Sequence, residues 1–217
     1  MHRALSFILL AIMIFASASS GRGQSVSQGK ATRHKLIDVV ADVLQETDSR
    51  GSLAESWKCG ASADFSEPFR VKMPPKQGSA VERLHDVFGS PSMVVSADKN
   101  RLVRVIAGNV KTDLLDVTIK RIVFHNEAHG PVALSTILDS PEVRSYMEQH
   151  HIENVLTVGG IYPTPSATSP RLDGAKENLK LSEALDLLPL TFPGMWSYQE
   201  CTAAGGKRRV AFHFMQW

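Results

Sequence analysis

Residues 79–106 read SAVERLHDVFGSPSMVVSADKNRLVRVI, in which a helical pattern gives way to a pair of strands. Ser79 and Glu82 have the spacing of a capping box, and Gly89 is the residue type that commonly ends a helix. The polar segment 98–100 separates two apolar stretches, as in a hairpin. The two strands are predicted at Met93–Ser96 and Leu102–Ile106.

Elements of the same two kinds are predicted on either side. A strand over residues 115–123 places Leu115, Val117, Ile119 and Val123 on one face. Apolar residues at helical spacing predict helices over 36–44, 131–138, 141–147 and 182–188, the last of which should stop at Pro189. The other predicted strands are Phe69–Met73, Val155–Val158, and a hairpin of Trp196–Cys201 with Arg209–Met215.

The segment between Gly51 and Phe69 is predicted to contain no strand. Ser52 and Glu55 make a small capping-box match there, before Trp57 and Cys59.

This order of elements predicts an α+β fold, with small antiparallel or mixed sheets and amphipathic helices packed on one face. Residues 31–158 form the main predicted domain. Residues 159–180, rich in Pro, Ser and Gly, are predicted to be a loop. Residues 181–217 supply a helix and a hairpin, which we expect to pack on the main domain.

The first 18 residues, MHRALSFILLAIMIFASA, have the pattern of a secretory signal peptide. Arg3 precedes an apolar run that is shorter than the ~20 residues needed to span a bilayer. We expect cleavage near Ala18, a disordered leader over residues 19–30, and no membrane span in the mature chain. The protein is therefore predicted to be exported, to the periplasm or to the extracellular medium.

The composition excludes some classes of partner. The 217 residues carry a formal charge of +2 and are 43% hydrophobic. Such a chain can bury a core, and its balanced charge gives no signature of nucleic-acid binding. We expect neither a nucleic-acid partner nor a cofactor.

Cys59 and Cys201 are the only cysteines of the chain. Export would place both in an oxidising compartment, where a disulfide can persist. Two cysteines allow only one intramolecular pairing, so we expect a bond between them.

One cluster of side chains suggests metal chemistry. His125 and His129 are four residues apart, and on a helix such a pair can share a metal ion. The segment follows a predicted strand and runs into Gly130-Pro131, which favours a polar turn instead. The motifs of nucleophile-elbow hydrolases, Walker loops, EF-hands and HExxH metalloproteases are absent.

Two further features are candidate binding elements. Lys207, Arg208 and Arg209 form a basic cluster on the C-terminal hairpin. This cluster is either a charged strand edge that discourages aggregation or a patch for an anionic ligand. Trp217 would be an anchor for a partner if its side chain is exposed.

The unit from Phe69 to Val123, a strand followed by a capped helix and further strands, resembles the small periplasmic modules at the N-termini of secretins and TonB-dependent receptors. The segment Ser182–Leu188, followed by an aromatic-rich strand, resembles part of a second such module. The resemblance implies short amphipathic helices packed on a small sheet, in a domain that binds other proteins.

These observations favour an exported, non-catalytic α+β module that binds a protein partner at the envelope. The alternative is a small metal-dependent or hydrolytic enzyme that uses the loop from His125 to His129. Carriage of a small molecule in a pocket between the two halves is a third hypothesis.

Overall fold

The computed structural model describes residues 34–59, 70–87, 93–155 and 164–217. The described residues belong to one compact unit, Thr32–Trp217. The predicted signal peptide (1–18) and leader (19–30) lie outside the described residues, as do residues 156–163.

Five helices and ten strands are present in the described part of the chain. The helices are α1 (Leu36–Glu46), α2 (Ala80–Val87), α3 (Gly130–Leu138), α4 (Pro141–Gln149) and α5 (Leu181–Thr191). The strands are β1 (His34–Lys35), β2 (Gly51–Lys58), β3 (Arg70–Val71), β4 (Met93–Ala97), β5 (Val103–Ala107), β6 (Thr118–Glu127), β7 (Glu153–Asn154), β8 (Leu172–Lys180), β9 (Gly194–Thr202) and β10 (Arg208–Gln216).

A six-stranded sheet in the order β4-β5-β2-β9-β10-β7 forms the centre of the molecule. The pairs β4·β5 and β9·β10 are antiparallel, whereas β5·β2, β2·β9 and β10·β7 are parallel. Two antiparallel two-stranded sheets, β1·β3 and β6·β8, accompany it. The predicted α+β class with mixed sheets is confirmed.

The order of pairings shows that the fold contains two structural repeats. In the N-terminal repeat (residues 34–107), β1 pairs with β3, and the hairpin β4·β5 adds β2 in parallel. In the C-terminal repeat (residues 118–216), β6 pairs with β8, and the hairpin β9·β10 adds β7 in parallel. Helices α1 and α2 of the first repeat correspond by position to α3 and α5 of the second, and α4 is additional.

The two repeats are related by half a turn about an axis that crosses the strands. Strands β2 and β9 run parallel, so β5 and β10, the central strands of the two repeats, run in opposite directions. A half-turn that reverses the strands also exchanges the faces of the sheet. One apolar core accordingly contains Leu53, Val95 and Val105 with α1 and α2, whereas the other contains Trp196, Tyr198 and Phe212 with α3 and α5.

Local sequence explains the helices of the N-terminal repeat. The predicted capping box forms at the start of α2, where the Glu82 carboxylate accepts from the Ser79 N–H and Ser79 Oγ accepts from the Glu82 N–H. Leu36, Val39, Val40, Val43 and Leu44 are the buried residues of α1, at helical spacing.

Several elements differ from the predictions. The segment predicted to contain no strand forms β2, the central strand that joins the repeats, and Ser52 and Glu55 are buried within it. Residues 172–180, predicted as part of a loop, form β8. The capping-box match was misleading because β2 is buried on both faces. Such a strand lacks the alternation of polar and apolar residues that would have identified it as a strand.

Two predicted boundaries also differ. Leu115 precedes the strand β6. Val123, predicted to face inward, is exposed because its neighbours Ile122 and Phe124 occupy the buried face, and side chains alternate between the two faces of a strand. Helix α5 continues two residues past Pro189, since a proline in the last turn leaves most of the helical hydrogen bonds intact.

The two cysteines lie at disulfide-bonding distance, with their Cα atoms 5.1 Å apart. Cys201 belongs to β9, and the N–H of Cys59 donates to the carbonyl of Thr202, immediately after β2. The predicted pair is thus confirmed in its geometry, and it links the ends of the two strands at which the repeats meet.

Replacing both cysteines by alanine should lower the free energy of unfolding substantially, because the bond closes a loop with a sequence separation of 142 residues. The chain-entropy model gives on the order of 5 kcal/mol for such a loop. Denaturant unfolding of the oxidised protein and of the double variant measures the difference. Two reactive thiols per chain in the denatured, unreduced protein would contradict the disulfide itself.

Candidate functional site

The predicted metal-binding histidines lie at the junction of β6 and α3. His125 is an exposed residue of β6, and His129 immediately precedes α3. The backbone between them is not helical, because Asn126 has a φ of 59° and the register of β6 shifts between Phe124 and Glu127. The side-chain geometry of a helical i, i+4 pair therefore does not apply. Within the ranges that the structure describes, no group of three or more His, Cys, Asp or Glu residues could hold a metal ion.

The basic cluster Lys207–Arg209 on the C-terminal hairpin makes ion pairs and hydrogen bonds with other residues of the same chain. Lys207 Nζ lies 2.7 Å and Arg209 Nη2 lies 3.0 Å from carboxylate oxygens of Glu153. Arg208, the first residue of β10, is buried. Its Nε donates to Glu200 Oε2 at 2.6 Å. The Glu153 contacts join β7 to the start of β10, and the Arg208–Glu200 contact joins β10 to β9.

The guanidinium of Arg208 organises a polar network that extends to the loop before β6. Its Nη1 lies 2.7 Å from Asp113 Oδ2, and its Nη2 donates to the Tyr198 hydroxyl at 2.8 Å. Tyr146 donates to the same Asp113 carboxylate from α4. A buried guanidinium surrounded by acceptors in this way holds neighbouring elements together.

Electrostatic effects in this network keep the Tyr198 hydroxyl protonated and the Asp113 carboxyl ionised. Burial, with the nearby Glu200 carboxylate, raises the pKa of Tyr198 well above its usual range, so the hydroxyl stays protonated and donates. Burial alone would raise the pKa of Asp113, but the hydrogen bonds from Arg208 and Tyr146 outweigh it and lower the pKa. Neither group is poised to exchange a proton near neutral pH, and this favours a structural role for the cluster.

A second polar cluster joins the two repeats. Arg104 of β5 donates through Nη1 and Nη2 to both oxygens of Asp186 on α5, and Nη2 also lies 2.7 Å from Asp98 Oδ2. Trp196 Nε1 donates to Asp186 Oδ1 at 2.8 Å. The two-pronged contact between arginine and carboxylate fixes α5 relative to β5.

Trp217, the remaining candidate anchor, is half-buried and packs against the core that contains α1 and α2. Its N–H donates to the carbonyl of Pro193.

A shallow, open groove of about 470 Å³ lies between the α3–α4 region and β7. Its lining residues are Leu138, Asp139, Arg144, Met147, Glu148, Ile152 and Asn154. Leu138, Met147 and Ile152 provide an apolar floor, and the charged residues stand around it. The groove is suited to a side chain of a partner better than to an enclosed reaction.

Strand β4 ends the six-stranded sheet and leaves one backbone edge open among the described residues. The N–H of Asp98 donates to the carbonyl of Leu102, across the β4·β5 pair. Since backbone direction alternates along a strand, the N–H and C=O groups of Met93, Val95 and Ala97 point away from β5. Such an edge can pair with a further strand.

Exposed apolar side chains lie beside this open edge. Val94 is 55% exposed and stands directly opposite Ile106, which is 42% exposed. Both lie on the face away from α1 and α2, because their neighbours Val95 and Val105 are buried under those helices. We define the β4 surface as Met93–Ala97 together with Ile106, and it is the candidate binding site.

Sequence reasoning missed Val94 and Ile106. The available signal was a break in alternation, since Met93-Val94-Val95 and Val105-Ile106 place apolar side chains on both faces of a strand. Which face would be left uncovered depends on the strand order, and the strand order is set by residues far away in the chain.

No family model, curated protein or solved structure matches this chain. None of the helices in the described ranges is long and apolar enough to cross a bilayer.

The metal hypothesis makes a direct prediction. Purified mature protein dialysed against zinc and then against buffer should retain far less than one metal ion per chain, because two histidines across a bent strand end do not complete a tetrahedral site. Elemental analysis of the wild type and of the His125→Ala/His129→Ala variant measures the content. Stoichiometric zinc that the double variant loses would establish the metal site.

Stability should fall in acid. The pKa of Asp98 is lowered, because hydrogen bonds from Arg104 and from the backbone outweigh its burial, and the pKa of Asp113 is lowered likewise. Both folded values lie below the value of about 3.9 in an unfolded chain, so their stabilisation is complete above roughly pH 4 and is lost as pH falls through the folded pKa.

Thermal unfolding from pH 7 to pH 2 tests this dependence. Asp113→Asn should lower the free energy of unfolding by about 1 kcal/mol at pH 7, a modest change because the carboxylate is partly exposed to solvent. Below pH 4 its stability should depend less on pH than that of the wild type, because the variant lacks this titrating carboxylate. Asp42→Asn, on the exposed face of α1, is the matched control. If Asp113→Asn lost stability below pH 4 as steeply as the wild type does, the lowered pKa of Asp113 would be contradicted.

Proposed function

We propose that the mature chain is an exported, non-catalytic module that binds a protein partner at the envelope, and that the β4 surface makes the contact. The observation that carries this proposal is the coincidence of an open strand edge with the exposed pair Val94 and Ile106. The backbone edge supplies directional hydrogen bonds, and the apolar pair supplies surface whose burial is favourable.

The arrangement of charge in the described residues supports binding over catalysis. The two best-organised polar clusters, around Arg208 and around Arg104, hold secondary-structure elements together. The pKa values of Asp98 and Asp113 are lowered and that of Tyr198 is raised, so these three groups move away from neutrality, whereas a catalytic acid or base near neutral pH has a pKa close to the working pH.

Two features support export. The N-terminal 18 residues have the pattern of a signal peptide, and the cysteine pair at bonding distance suits an oxidising compartment. The resemblance to small periplasmic modules of secretins and TonB-dependent receptors points in the same direction, towards a domain that binds proteins.

The test is a pull-down from envelope extract with three immobilised forms of the mature chain: wild type, Val94→Lys and Val123→Lys. A lysine at position 94 places a charge in the middle of the β4 surface and discourages strand pairing. We expect a partner that Val94→Lys recovers at least about tenfold less than wild type, which corresponds to about 1.4 kcal/mol.

Val123→Lys is the matched control, because Val123 is also an exposed valine on a strand but belongs to the separate β6·β8 sheet. It should recover the partner as well as wild type does. Equal recovery by all three forms would show that binding does not use the β4 surface, and recovery of no partner would argue against the binding function.

A further inference from the structure

Strand β4 lacks the features that discourage an open edge from pairing. Its five residues, Met93–Ala97, include neither a charged side chain nor a proline. The mostly exposed strand β8, with the sequence LDGAKENLK, carries four charged side chains. Charged side chains on an edge oppose the addition of another strand, so β4 is the better suited of the two to receive one.

Apolar side chains are incompletely covered on both faces of the β4 edge. On one face, Val94 and Ile106 are exposed. On the other face, Met93 is only partly buried against the core that contains α1 and α2. A strand placed beside β4 would cover side chains on both faces at once, which a helix docked on one face would not do.

The outward-facing backbone groups of β4 are complementary to those of a second copy. They belong to Met93, Val95 and Ala97, and β5 is the only strand that pairs with β4 in the described ranges. In an antiparallel pair with a two-fold axis at Val95, Met93 of each copy lies opposite Ala97 of the other. All three residues then exchange backbone hydrogen bonds, about six in total. Any other symmetric register in which these residues meet leaves at least one of them facing a residue outside β4.

The side chains of β4 also fit this register. Met93 lies opposite Ala97 of the second copy and Val94 lies opposite Ser96, so each larger side chain meets a smaller one. The two Val94 residues lie diagonally across the axis, and each continues into Ile106 on the next strand. Pairing therefore removes from water the apolar groups that the fold leaves exposed.

The charges near β4 permit antiparallel pairing and oppose parallel pairing. Arg104 is compensated by Asp98 and Asp186. The exposed cations Lys99 and Arg101 follow β4, in the turn that leads to β5. The two-fold axis places these turns at opposite ends of the paired strands, whereas parallel strands would bring them side by side, where like charges repel.

We propose that the mature chain forms a symmetric homodimer in which the β4 strands of two copies pair antiparallel about Val95. This inference rests on the proposed function, since it names a second copy of this chain as the partner of the β4 surface. One surface is used twice, so the assembly closes at the dimer. The contact is one short strand pair with two exposed apolar side chains from each copy. It is smaller than the ~1,600 Å² of a standard interface, so the dimer should form reversibly as concentration rises.

Sedimentation velocity of the purified mature chain over a series of concentrations tests the proposal. The wild type should convert from monomer to dimer and go no further. Val94→Lys should raise the dissociation constant at least about tenfold, because two lysines then lie across the axis from each other. Val123→Lys, on the separate β6·β8 sheet, should dimerise as the wild type does.

A proline variant tests whether the backbone makes the contact. Ala97→Pro should also weaken the dimer, because it removes an N–H that faces the second copy and none that faces β5. Ala97→Ser keeps this N–H and is the matched control. Circular dichroism establishes that each variant is folded, and Val94→Lys alone decides the outcome if Ala97→Pro is not.

Engineered cysteines test the register. Val94 of one copy lies opposite Ser96 of the other, at a spacing that a disulfide can bridge. An oxidised mixture of Val94→Cys and Ser96→Cys should therefore give mainly the mixed disulfide, identified by mass spectrometry. A linked homodimer of either variant as the main product would overturn the pairing about Val95.

A wild type that stays monomeric at every concentration would overturn the proposal. A dimer that Val94→Lys leaves unchanged, or an assembly that grows beyond the dimer, would overturn it as well. A monomeric wild type whose envelope partner is lost in Val94→Lys would remove self-association and leave the binding function intact. A monomeric wild type with no Val94-dependent partner would remove both.

Discussion

The parallel pairing of β2 with β9 is the contact on which the rest of this structure depends. It joins the two repeats into one sheet, and the cysteine pair, the Arg104–Asp186 contact and the packing of Met195 under α1 all lie along it. On the other side of β2 a close approach to β5 is required, since a Cβ on Gly51 would lie 2.1 Å from the carbonyl oxygen of Val103. Only glycine allows β2 and β5 to meet there.

The half-turn between the repeats distributes the helices over both faces of the sheet. Each repeat covers its own strands on one face, and near the junction each also covers part of its neighbour's strands on the other. A repeat is covered in this way on both of its sides only if another repeat adjoins each side. Two repeats form only one such junction. The outer side of β4 is consequently left with apolar groups that the fold itself does not bury.

Local sequence was sufficient for elements whose pattern is amphipathic and insufficient for those whose burial is set by distant partners. The capped helix α2 was predicted from its capping box and helical spacing. The hairpin β9·β10 was predicted from the Gly205-Gly206 turn and from the alternation of Val210, Phe212 and Phe214 in its second strand. Strand β2 was missed because both of its faces are buried, and polar β8 was missed because it pairs only with β6. The β4 surface was missed for the same physical reason, since its exposure follows from strand order.

The buried polar groups of the junction explain why β9, and not β4, is the internal partner of β2. Gln199 of β9 donates to the carboxylate of Glu55 inside the sheet, and both side chains are buried. A shift of register or a change of partner would remove this hydrogen bond from two buried side chains, which is unfavourable because a buried polar group that loses a partner cannot replace it with water. Strand β4, with the sequence MVVSA, carries no amide side chain that could replace Gln199. The internal junction is therefore specified by hydrogen bonding and closed by a disulfide, whereas a contact at β4 rests on the backbone edge and apolar burial alone.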